Sequence, residues 1–213
     1  TRARIRKTGA EVIVHGKVWD DANQKAMELA QGAHTEYVPA FDHPVLWEGH
    51  SSIIDEILED CPQVDTLVTS VGGGGLLAGI LTGLIRHGRM DCRIVACETQ
   101  GAASFSAALA AGHPVRLPRI DTVATSLGAA QVAAWPVQHI HDFAHQCVVL
   151  SDDEAIMGVV RYANDLRQLV EPACGVSLAI GYLDHPAIAD ARDVVIVVCG
   201  GVNINAQKVA GWA

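Results

Sequence analysis

Thr66-Leu67-Val68-Thr69-Ser70-Val71-Gly72-Gly73-Gly74-Gly75-Leu76-Leu77-Ala78, continuing to His87, is the stretch that decides the fold. Thr66–Val71 is a short β-branched run, apolar enough for an interior strand of a parallel sheet. Leu76–His87 has helical character, and the four glycines join the two at what becomes the carboxyl edge of the sheet. Successive glycines let backbone N–H groups converge on one point, and the following helix adds its own unpaired N–H groups and positive end. The pattern therefore predicts an anion site of phosphate type, since a tight turn alone needs only one or two glycines. Two ligand classes satisfy it. Gly73, Gly75 and Ala78 match a dinucleotide fingerprint, and Glu98 provides the acidic residue expected about 20 positions later.

Outward from this loop, β-branched runs alternate with helical stretches, which predicts an α/β fold: a three-layer parallel sheet with helices on both faces. The other strand candidates are Glu11–Val14, Thr35–Val38, Arg93–Cys97, Cys147–Leu150 and Val194–Cys199. Ser151–Val170 carries Ile156, Val159, Val160, Ala163, Leu166, Leu169 and Val170 on one helical face, and Ser151 with Glu154 has the spacing of a capping box. Glu171 and Pro172 open a small-residue helix and are read as structural. The Pro39–Pro44 segment reads as a crossing between a first unit, 1–40, and a second, 41–213. Thr1–Thr8 already reads as helical, so the pattern starts in mid-course.

The 213 residues are half hydrophobic, with a formal net charge of −9, which disfavours nucleic acid and anionic membranes as partners. Arg2, Arg4, Arg6 and Lys7 form the only basic cluster, and no aromatic residues interleave with it. No apolar run reaches the roughly 18 residues of a membrane span, and the basic start lacks a signal-peptide core, so a cytoplasmic address is expected. Cys61, Cys92, Cys97, Cys147, Cys174 and Cys199 are scattered without metal-binding spacing and read as free thiols. His139, His141 and His145 read as a solvated connector, and Trp47 and Phe41 as core or domain-seam residues.

Five further segments extend the argument: Phe41–His50 (FDHPVLWEGH), Cys97–Ala102 (CETQGA), Ser126–Ala129 (SLGA), Val170–Gly175 (VEPACG) and Val198–Ile204 (VCGGVNI). In this order around the glycine loop they resemble the animal-type L-serine dehydratases and serine dehydratase-like proteins, within the tryptophan-synthase-β type of pyridoxal-phosphate (PLP) enzymes, fold type II. The resemblance runs from about Gly9 to Asn205, with one shortened stretch between Tyr182 and Asp193. It implies a nearly complete large domain and only the last elements of a small domain. It implies that Gly72, Gly73, Gly74 and Gly75 wrap the cofactor phosphate, that Ser126 lies against its ring and tunes activity, and that Cys199, as a neutral thiol, faces the pyridine nitrogen. It further implies a monovalent cation such as K+ held by Glu98 and by oxygens of Gly72, Ala102, Ser104, Leu127 and Ala129; a capping or ion-pair role for Glu98 stays open beside this.

Relatives hold PLP as a Schiff base on a lysine in a Ser-x-Lys-x-Arg motif, and that lysine removes the substrate's α-proton. The chain has no such motif. Its four lysines are Lys7, Lys17, Lys25 and Lys208, and none is assigned as catalytic. The resemblance implies a PLP-dependent lyase acting on L-serine or L-threonine as a homodimer, with this chain a fragment lacking the lysine-bearing part. Two other readings remain: an inactive short form that binds PLP, phosphate or a protein partner, and an NAD-binding oxidoreductase.

Overall fold

A computed structural model describes residues 1–16 and 19–212, which divide into two compact units, Thr1–Ala40 and Phe41–Ala213. The first unit holds α1 (Arg2–Arg6) and α2 (Trp19–Leu29). Neither strand expected there forms, since Glu11–Val14 and Thr35–Val38 are both irregular. A β-branched run becomes a strand only where a neighbour satisfies its N–H and C=O groups, and among the described residues no strand pairs with either.

The second unit runs α3 (Pro44–Asp60), β1 (Thr66–Ser70), α4 (Gly75–Arg86), β2 (Arg93–Thr99), α5 (Ser104–Ala111), α6 (Ala134–His139), β3 (His145–Leu150), α7 (Asp152–Leu166), α8 (Pro172–Tyr182), β4 (Val194–Ile196) and α9 (Ala206–Ala210). Its four strands are parallel in the order β3-β2-β1-β4, with Leu67 opposite Ile94 and Val195, and Ala96 opposite Cys147. The strand period of two splits the core between the faces. Leu67, Ile94 and Ala96 pack with Ile54 of α3, Leu77, Ile80, Leu81 and Leu84 of α4 and Phe105 of α5. Val68, Val95 and Cys97 pack on the other face with Ala155 of α7 and Ala173, Val176, Ala179 and Ile180 of α8. This is the expected parallel sheet with helices on both sides.

Boundaries differ where tertiary context takes over. β4 stops at Ile196 rather than Cys199, at the sheet edge, where only β1 supplies partners. α7 stops at Leu166 rather than Val170 because Arg167 adopts a left-handed conformation, φ 60°. Its start is as expected. Ser151 Oγ accepts the Glu154 N–H at 3.2 Å and Glu154 Oε2 accepts the Ser151 N–H at 2.7 Å. Ser151→Ala removes the acceptor and is expected to cost about 1 kcal/mol, read as a lower urea midpoint at unchanged m-value.

α7 and α8 cross at two glycines. A Cβ on Gly158 would lie 2.2 Å from the Gly175 carbonyl oxygen, and one on Gly175 would lie 2.0 Å from that of Ala155. The contact brings α8, buried from Pro172 to Ile180, against the sheet under the carboxyl ends of β1 and β4.

Candidate functional site

The glycine loop sits at the carboxyl end of β1, held on one side by the Val71 N–H to Cys97 O bond of 2.9 Å and on the other by the Ala133 N–H to Gly73 O bond of 3.0 Å. Each glycine has a packing reason for lacking a side chain. A Cβ on Gly72 would lie 2.9 Å from Leu127 Cα, one on Gly73 would enter the Phe41 ring at 2.4 Å, and one on Gly75 would lie 2.7 Å from Phe41 O. Gly74, the N-cap of α4, has φ +87°. Glycine count alone therefore says less about a ligand than the sequence suggested. The N–H groups say more. From Gly72 to Leu77, six successive backbone N–H groups meet no acceptor among the described residues. Such a series at the start of a 12-residue helix is chemically fitted to a phosphate.

Cys199 lies across the same sheet edge, with its sulfur 3.9 Å from Ser70 Oγ at the end of β1 and 3.3 Å from Cys174 Sγ in α8. Cys199 is exposed and Cys174 is buried. Hydrogen bonding between the two sulfurs pulls the Cys199 thiol below its ordinary range, against the opposing effect of burial, with Ser70 adding to the lowering. The same bond, with burial, pushes Cys174 up. Of the two thiols, Cys199 is therefore the one whose ionisation is favoured. Iodoacetamide is expected to alkylate Cys199 with a midpoint below the about 8.5 of an ordinary cysteine, measured by peptide mass against pH.

Ser126 donates to Glu171 Oε2 at 2.5 Å, and Asn203 Nδ2 reaches both Ser126 Oγ, at 3.1 Å, and Glu171 Oε2, at 3.3 Å. The Glu171 N–H bonds Gly200 O at 3.2 Å, so this network ties the Ser126 turn, the start of α8 and the loop after β4 together. Glu171, read as merely structural, and Asn203, given no role, are the polar partners that sequence reasoning missed. Only Asn203's place just after Gly200-Gly201 hinted at it.

Glu98, at the end of β2, is fully buried, and its two oxygens accept the N–H groups of Phe105 and Ser106, each at 2.8 Å. Burial pushes its carboxyl up to about 7, and the two backbone bonds pull the other way. Its capping role is therefore realised at the start of α5. Ser104, in that same turn, donates to Gly72 O at 3.4 Å, and Gly72 abuts Leu127. Leu127 O also accepts the Ala129 N–H at 2.9 Å, and Ala102 and Ala129 are buried nearby in sequence. Fully buried under α5, Glu98 is closed off from anything as large as a ribose, although each oxygen keeps a second lone pair, and this removes the acidic partner required by the dinucleotide reading.

A profile described as "Pyridoxal-phosphate dependent enzyme" matches residues 1–200. The chain belongs to the pyridoxal-phosphate dependent enzyme family. Within this family it is 46% identical to the mouse protein "Serine dehydratase-like" and 40% identical to an L-serine dehydratase of Saccharomyces cerevisiae; these matches cover 96% and 93% of the chain. The chain spans 65% of the length of each of those proteins. Its fold superposes on a fungal L-serine ammonia-lyase from Rhizomucor miehei with TM-score 0.92 at 30% identity, covering 99% of the chain and 69% of the other. It also superposes on the processed form of threonine deaminase isoform 2 from Solanum lycopersicum with TM-score 0.87 at 26% identity, covering 100% and 62%. The resemblance read from the motifs is borne out.

Tested against PLP, the family's cofactor, the site fits: an unpaired run of N–H groups stands at one end and a thiol at the carboxyl edge of the neighbouring strand. Lys208 is exposed, with its ammonium 5.2 Å from the Trp212 ring centre. Lys7 and Lys25 belong to the first unit, Lys25 paired with Glu28 at 3.1 Å, and Lys17 lies outside the described residues. His139 stacks on Trp135 with ring centres 4.0 Å apart, and His141 meets His145 edge-on. Among the described residues no helix is long and apolar enough to cross a membrane.

Proposed function

We propose that this chain forms the cofactor-binding part of a PLP-dependent L-serine/L-threonine dehydratase, releasing ammonia with pyruvate or 2-oxobutyrate. The observation that carries the reading is the run of six unpaired N–H groups facing the same sheet edge as Cys199, in a fold shared with an L-serine ammonia-lyase. PLP supplies an electron-withdrawing ring that stabilises negative charge at the substrate's α-carbon. Gly72–Gly75 and the first turn of α4 anchor and orient the phosphate. Ser126, fixed by Glu171 and Asn203, would support the ring face of the cofactor, and Cys199, hydrogen-bonded to Cys174, would face its pyridine nitrogen. Glu98 and oxygens of Gly72, Ala102, Ser104, Leu127 and Ala129 are the groups that would hold a monovalent cation such as K+, which would supply positive charge beside the phosphate loop. The α-proton is taken by a lysine that is none of Lys7, Lys17, Lys25 or Lys208. Residues 1–40 act as the end of a small domain and 41–213 as the large domain of a cytoplasmic homodimer.

The 213-residue chain alone is expected to bind PLP weakly and to turn over neither amino acid. Joined to the part of the mouse serine dehydratase-like protein outside the match, it is expected to release pyruvate from L-serine or 2-oxobutyrate from L-threonine. A chimera that binds PLP and releases neither product rejects the dehydratase reading.

A further inference from the structure

Cys174 and Cys199 stand apart from the other four cysteines. We propose that they form a peroxide-responsive thiol pair that closes into a reversible disulfide and so weakens cofactor binding at the sheet edge. Their sulfurs are 3.3 Å apart, and a disulfide needs them at about 2.05 Å, so the closing movement is only ~1.2 Å. The backbone on the Cys199 side allows that movement, because β4 has already ended at Ile196 and two glycines follow, Gly200 with φ +145°. Cys174 is anchored by burial in α8, and the Gly200 N–H, 3.2 Å from its sulfur, holds the two segments in register.

The roles of the two thiols differ. Cys199 is the exposed member and the one whose ionisation is favoured, so it is the nucleophile. Its thiolate attacks hydrogen peroxide or an organic hydroperoxide, cleaving the O–O bond to give a sulfenic acid and one water or alcohol. Cys174 then attacks that sulfur, the S–S bond forms and the second oxygen leaves as water, with one thiol proton from each cysteine accounted for. Two thiols are oxidised and one peroxide is reduced. Cys92 and Cys97 are buried, and burial raises the thiols of Cys92, Cys97 and Cys147, the first to about 11 and the last to about 12. They lack a low-lying thiolate, and among the described residues no neighbouring sulfur is hydrogen-bonded to them. A disulfide formed by close geometry in an otherwise thiol-bearing chain has the character of a sensor rather than a staple.

Formation of the bond stands on the geometry alone, and the consequence for the cofactor rests on the proposed placing of the pyridine nitrogen at Cys199. The reduced 213-residue protein is treated with a small excess of hydrogen peroxide, and its intact mass and peptides are compared before and after dithiothreitol. The expected result is loss of the mass of two hydrogen atoms, one cross-linked pair containing Cys174 and Cys199, and full reversal by the dithiol. Cys174→Ser is expected to add oxygen at Cys199 instead, having no resolving thiol. A cross-link elsewhere, or oxygen added at Cys199 of the wild type with Cys174 left free, overturns the pair. PLP affinity, followed by absorbance in the same samples, is expected to fall at least tenfold on oxidation and to return with dithiothreitol. An unchanged affinity across the disulfide overturns the switch, whereas a reduced protein that binds no PLP defeats the functional reading and leaves the disulfide result intact.

Discussion

Gly175→Val is expected to unfold the second unit or to lower its thermal midpoint by roughly 10 °C or more, a loss above about 4 kcal/mol. Even the first carbon of a side chain would lie 2.0 Å from Ala155 O and 2.8 Å from Val159 Cγ2. Typical overpacking costs about 1–3 kcal/mol because side chains move aside. Here the obstacle is the α7 backbone, and α8 has no room to retreat, being buried against β1 and β2 through Val176, Ala179 and Ile180. Gly49, on the exposed face of α3 with nothing within 4 Å of an added Cβ, is the control. Gly49→Ala is expected to leave the midpoint unchanged or raise it slightly, through helix propensity. Circular dichroism melts of the two variants check both outcomes.

Gly73→Asp carries the second large effect, on binding rather than folding. A carboxylate in the loop would compete for the free N–H groups and repel a phosphate dianion, and losing even two charge-assisted bonds weakens binding by roughly a hundredfold or more. Because the added Cβ would also enter the Phe41 ring at 2.4 Å, packing and charge must be separated. Phe41→Ala opens the space. In that background Gly73→Ala is expected to keep PLP affinity within tenfold of the Phe41→Ala parent, and Gly73→Asp to lose it. Equal loss with alanine and aspartate would mean that the loop's shape alone matters.

The parts of this molecule that were legible in its sequence are those fixed by neighbours along the chain. β1, the glycine turn and α4 follow from a β-branched run, a break and a helical run, and the Ser151–Glu154 box marks the start of α7 within four residues of sequence. Glu11–Val14 has the same local composition as a strand and is not one, because strand formation depends on a partner that local sequence does not reveal. The site shows the same divide. The N–H series could be anticipated from glycines before a helix, while the need of Gly73 and Gly75 for space beneath Phe41 could not, since the ring arrives from the segment before α3. Neither could the 3.3 Å approach of Cys174 to Cys199, set by how α8 packs under the end of β4. Glu98 was legible as an acid at the sheet edge. Its burial and its two N–H partners, which decide between capping and a ribose contact, came only with α5 in place.

Whether the glycine loop holds a cofactor by its phosphate is decided by titrating the reduced 213-residue protein with PLP and with pyridoxal, which differs only in lacking that phosphate. PLP is expected to bind, weakly in the absence of a covalent anchor, and pyridoxal to bind at least roughly tenfold more weakly still. Equal affinity for the two, or binding of NAD in place of both, would show that the loop is not a site for the PLP phosphate.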